Sequence, residues 1–132
     1  MRGGFLVALD DGLYERAARA LIILGAVEAK AESDSGSMVH FTDDSGRLFT
    51  LFEYVPKGTE WEVREGPFTP APGAQLPDMQ VVTACPFECR WPDLVALIAD
   101  SIGNAAGGPT WVLDGDGVLW NADSVDPMTV QL

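Results

Sequence analysis

Residues 66–78 hold four prolines, Pro67, Pro70, Pro72 and Pro77, together with Gly73 and no apolar periodicity. Proline fixes φ and removes a backbone donor, so neither a helix interior nor a central strand runs through such a stretch. The regular structure must therefore lie on either side of an irregular crossing. The 132 residues suit a single domain, residues 1–132, that buries about two thirds of its unfolded surface without disulfide or metal staples. A hydrophobic content of 47% excludes a disordered chain. No apolar run approaches the ~20 residues of a membrane-spanning helix. The first ten residues also lack the hydrophobic length and cleavage site of a secretory signal, so a cytoplasmic location is expected.

Before the crossing, the apolar run at residues 5–9 has strand length, and Asp10 and Asp11 offer N-cap chemistry for a helix over 12–24. Leu13, Ala17, Ala20, Leu21 and Leu24 share one face of that helix. Glu15 and Arg19 form an i, i+4 pair on the other, and Gly25 is placed to end it. Strands are expected at 27–32, 38–42, 47–55 and 59–65, separated by turns at 34–37, 43–46 and 56–58. In the last of them Trp61 and Val63 take one side, and Glu60, Glu62 and Arg64 the other. Beyond the crossing come a strand at 79–84, a helix opened by Pro92 with Leu94, Val95, Leu97, Ile98 and Ile102 apolar, and a hairpin at 110–120. The hairpins require antiparallel neighbours, and the two apolar stripes need one shared surface. The fold class is therefore α+β, a mostly antiparallel sheet with two helices on one face. Both halves read strand, helix, strand, strand. This suggests a β-α-β-β duplication of pseudo-repeats 1–65 and 79–122 joined by the crossing 66–78; alternatively, that order is simply an economical way to cover one sheet face.

Cys85 and Cys89 are four residues apart, and the only histidine, His40, is remote in sequence. A zinc site takes three or four well-placed Cys or His ligands, so no metal and no cofactor are expected. The thiols read as small buried hydrophobes or, alternatively, as a local disulfide, and His40 as a surface or cross-strand side chain.

The run Trp111-Val112-Leu113-Asp114-Gly115-Asp116-Gly117-Val118-Leu119 resembles the first motif of the haloacid dehalogenase phosphatases. That resemblance implies that Asp114 is a phosphoryl-accepting nucleophile, that Asp116 is a general acid and base, and that both hold Mg²⁺. The family places the motif at the start of a large doubly wound domain. Here fifteen residues follow Gly117, and a motif counts only in its structural context. The residues themselves read as a hairpin turn between two β-rich runs, in which Asp114 and Asp116 are exposed and Asp→Asn changes cost little.

Charge narrows the function. With 20 acidic and 8 basic residues the net charge is −12, split as −5 over residues 1–66 and −7 over 67–132. Arg90 is the last base; Asp93, Asp100, Asp114, Asp116, Asp123 and Asp126 follow it unneutralised. Such a surface repels nucleic acid phosphates and attracts basic partners. The expected function is that of a small acidic interaction protein, with no nucleic acid or membrane partner. In size and charge it is similar to the immunity proteins that neutralise basic bacterial toxins. The partner-binding candidates are Asp114, Asp116, Asp123 and Asp126 as an acidic rim, with Trp111 and Trp120, and also Trp61, as aromatic anchors, each tryptophan having a competing reading as a core side chain. The alternative is an α+β module holding a small molecule between the sheet and the Pro-rich crossing. A Mg²⁺-dependent phosphatase-like enzyme is the remote third.

Overall fold

The structure, a computed structural model, describes residues 2–30, 36–105 and 107–132. Its central strand is β1 (Gly3–Ala8), which lies between β6 (Thr83–Cys89) and β7 (Thr110–Leu113), antiparallel to both. Leu6 and Ala8 face one core and Val7 another, which is why the run is continuously apolar instead of alternating. On one side of β6 the sheet extends through β4 (Leu48–Phe52), β3 (Ser37–Thr42) and β2 (Val27–Lys30). On the other side of β1 it continues through β7, β8 (Val118–Asn121) and the two-residue β5 (Thr69–Pro70). Every neighbouring pair is antiparallel except β5 and β8. The expected mostly antiparallel α+β architecture is what the chain adopts.

Helices α1 (Leu13–Ile23) and α3 (Pro92–Gly103) cover one face. Leu13, Ala17 and Leu21 of α1, with Leu94, Ile98 and Ile102 of α3, pack on Leu6, Leu51, Cys85, Phe87 and Val112. Phe49 and Phe87 stack within this core, centroids 5.1 Å apart. The opposite face carries a smaller core in which Val7, Trp111, Leu113 and Leu119 meet Val63, Met79 and Val82. Residues of the segments 55–68 and 79–82 thus cover the sheet's second face.

Several local expectations are corrected. The segment 59–65 is not a strand: Trp61–Arg64 forms a single helical turn, α2, closed by Arg64 N–H to the Glu60 carbonyl and Glu65 N–H to Trp61. Its apparent alternation spans five residues, 60–64, too few to separate a period of two from a turn with one buried residue, Val63. The strand expected at 79–84 begins at Thr83 and continues to Cys89 through Pro86, a residue that argues against strand in any sequence reading. Residues 78–81 instead form a turn in which Asp78 accepts from the N–H groups of Gln80 and Val81. Helix α1 has Gly12 at its N-cap with no side-chain cap, because Asp10 is drawn to Arg16, its Oδ1 accepting from Nη2 at 2.8 Å. Leu24 falls outside the helix and is exposed. The crossing is irregular as expected, apart from β5. Residues 31–32 of the second expected strand, and 34–35 of the turn after it, lie outside the described residues. The duplication is unconfirmed: β1-α1-β2-β3 and β6-α3-β7-β8 share an order, but β1 takes β7 as its second neighbour while β6 takes β4.

Candidate partner-binding groove

The turn at 114–117 repeats the chemistry of the turn at 43–46. Asp43 Oδ1 accepts from the N–H groups of Ser45 and Arg47, and its carbonyl accepts from Gly46. Asp114 Oδ1 likewise accepts from Asp116 and Val118, at 2.9 and 3.0 Å, and its carbonyl from Gly117. Gly46 and Gly117 both take positive φ, 80° and 78°, as this turn requires. The two aspartates differ in what their second oxygen does. Asp43 Oδ2 accepts from Arg47 Nε, and these contacts with Arg47 hold the Asp43 carboxyl below the usual carboxylate range. Asp114 Oδ2 accepts from the Trp120 indole N–H and the Gln131 backbone N–H, both at 3.1 Å.

Asp114 is therefore a buried tie, 5% exposed, and not the exposed turn residue expected. Its four N–H donors bind the turn, a core tryptophan and the residue 131 backbone to one carboxylate, and Gly115 N–H to the Gln131 carbonyl closes the same junction. A phosphoryl-accepting carboxylate would have to give up part of this set. Among the described residues no group of three or more His, Cys, Asp or Glu side chains is placed to hold a metal ion.

The other candidates separate. Trp120 is buried in the helix-side core and Trp111 in the opposite one, so neither presents a ring to solvent. Asp123 and Asp126 are exposed, with local contacts to Ser124 Oγ and Met128 N–H. Asp116 is exposed and lines a groove of about 680 Å³, open on one side, at the end of the sheet where β1 begins and β7 finishes. Its walls are the 114–117 turn, residues 86–88 of β6, α2 and residues 66–68. On the floor, a Cβ at Gly3 or Gly4 would strike the Phe87 or Leu113 carbonyl, so β1 presents bare backbone there.

The groove collects side chains that sequence reasoning did not assemble. Trp61, 56% exposed, projects from α2 beside Glu62; Phe68, Pro67 and Pro86 add apolar wall; Glu88 and Asp116 face the same space. Arg2 is the only basic side chain among the lining residues. Trp61 was legible as a candidate anchor. Glu88 was not, because only the pairing of Gly3 with Glu88 across β1 and β6 brings it here.

Cys85 and Cys89 are unbonded and buried on the helix side. Burial, with the Glu15 and Glu53 carboxylates nearby, pushes the Cys85 thiol up to about 12 and leaves it protonated and unreactive at neutral pH. Burial also raises Cys89. His40 Nδ1 lies 2.9 Å from Thr50 Oγ1 across the β3 and β4 pair. No helix among the described residues is long and apolar enough to cross a membrane. No protein-family model, no curated protein and no solved structure matches this chain.

Proposed function

We propose that this chain is a small acidic cytoplasmic interaction protein that binds a basic protein partner through the groove at 114–117, acting in the manner of an immunity protein toward a basic toxin. One observation carries the reading: an exposed tryptophan with apolar neighbours, Trp61 with Phe68, Pro67 and Pro86, lies beside Glu62, Glu88 and Asp116 in a groove open to solvent. An aromatic anchor inside a charged rim is the arrangement that concentrates binding energy at protein interfaces. A guanidinium or ammonium on the indole face gains from the ring and from the surrounding carboxylates. The field of −12 adds steering, raising the association rate at low salt.

The test is association with a basic protein or Arg-rich peptide at low and high salt, by stopped-flow and calorimetry. Trp61→Ala should weaken binding by about 1–3 kcal/mol through a faster dissociation rate. Glu62→Lys with Asp116→Lys should slow association at low salt and lose that effect at high salt. Binding unchanged in both variants would remove the groove from the interface. The second reading, a small-molecule module, rests on the groove volume, which lies within the roughly 300–1,000 Å³ of ligand sites. The open side favours a polypeptide. The phosphatase-like alternative requires Mg²⁺-dependent hydrolysis of a generic phosphate ester, and the four-donor environment of Asp114 leads us to expect none.

A further inference from the structure

The sheet has two edges of different character. Edge strand β5 is two residues long, contains Pro70 and is flanked by Pro67 and Pro72, so it offers almost no template for another strand. Edge strand β2 is four residues long with no proline, and among the described residues nothing pairs with its outer side. Exposed apolar side chains lie in it and just before it in the chain. Val27 is 67% exposed and Ile23, just before the α1 to β2 turn, is 79% exposed, with Ile22 and Leu24 exposed beside it. Surface of this kind on an unpaired edge favours strand addition.

We infer that β2 is a self-association surface that pairs antiparallel with β2 of a second copy of this chain, about a two-fold axis at Ala29. The charges choose the occupant and the register. Glu28 and Lys30 are two residues apart and so project from the same face of the strand. With the axis at Ala29, Glu28 of each copy stands opposite Lys30 of the other, forming two opposite-charge pairs, and the small Ala29 meets itself. Moving the axis to lie between Glu28 and Ala29 would set Glu28 against alanine and Lys30 against Val27, forfeiting both pairs. Tyr14 Oη donates to Glu28 Oε2 at 3.2 Å, which orients that carboxylate while leaving it exposed. An arbitrary extended peptide lacks this reciprocity, whereas a second copy supplies it by symmetry. The surface lies at the β2 end of the sheet, away from the turn 114–117, so it stands or falls independently of the groove.

Sedimentation equilibrium over a wide concentration range at about 0.15 M salt, where charges are screened beyond ~8 Å, tests the pairing. The wild-type chain should show a monomer–dimer equilibrium. Glu28→Lys alone and Lys30→Glu alone each put two like-charge pairs across the axis and should weaken dimerisation roughly tenfold. An equimolar mixture of these two variants should recover it, because every 28 to 30 contact between unlike variants is again opposite in sign. Circular dichroism confirms that each variant is folded. A wild-type chain that stays monomeric, single variants that dimerise like the wild type, or a mixture no stronger than its components would each overturn the inference.

Discussion

Asp114 shows how one carboxylate decides whether a turn is decoration or structure. Its oxygens face four N–H donors, so Asp114→Asn must turn an amide N–H₂ toward two of them and leave buried donors unpaired. The expected cost is about 2–4 kcal/mol in urea unfolding, while Asp116→Asn, exposed on the same turn, should stay within about 0.5 kcal/mol. Equal and negligible effects of the two substitutions would refute the tie. The turn itself was legible in the Asp-Gly-Asp-Gly run. The burial was not, because Gln131 arrives from seventeen residues away. Arg16 was equally hidden: a helical arginine reads as solvated, yet here it is buried, with Nη1 donating to Thr110 Oγ1 and Nη2 to Asp10. Cys85 gives a pH prediction at the same scale. An ordinary thiol ionises at ~8.5 and this one only at about 12 in the fold, so its contribution to stability is intact below ~8.5 and falls away as pH rises toward 12. Tyr14, raised by burial and by Glu28, adds to the loss above ~10. Urea midpoints should therefore decline between pH 8 and 11, and Cys85→Ser, whose hydroxyl does not ionise there, should decline less. A flat profile, or one unaltered by the substitution, would contradict this.

At the scale of elements the long periodic segments were read well and the short ones poorly. In α1 and α3, three or four turns of consistent spacing outweigh any single residue, and Leu21 and Ile98 lie in the core as their stripes require. Leu21→Asp or Ile98→Asp places an unpaired charge there and should abolish cooperative thermal unfolding; a folded, cooperative variant would mean that the helix faces are misassigned. α2 lacks that averaging. Four residues with one buried side chain fit either period, and Thr59 and Glu60 settle the matter locally, by hydrogen bonds to the Pro56 carbonyl and from the Gly58 N–H. β6 was misplaced for a different reason. Pro86 counts against a strand in sequence, but in the sheet it stands opposite Phe5 just past the β4 pairing, which ends with Leu51 opposite Phe87, so its missing donor breaks no β4 ladder bond. The misread elements, α2 and β6, supply two walls of the candidate site, so the site was less legible than the fold that carries it.

At the scale of the whole molecule the sequence carries charge but not its arrangement. Net −12 was readable at once, as was the run of aspartates after Arg90, but not that Asp93 among them is neutralised by Arg47, whose Nη1 lies 2.8 Å from Asp93 Oδ2. Which acids share a space with an exposed aromatic depends on the sheet order, and that order brings Glu62, Glu88 and Asp116 together while Asp123 and Asp126 fall outside the groove lining. In the proposed function this groove receives a cationic protein surface. Amide chemical-shift mapping during titration with an Arg-rich peptide, at low and then high salt, tests it most directly. Salt-sensitive shifts centred on Trp61, Glu62, Glu88 and Asp116, including the Trp61 indole N–H, are expected, together with their loss in Trp61→Ala. Shifts spread evenly over all exposed acids, or centred on Asp123 and Asp126 with the groove silent, would contradict it.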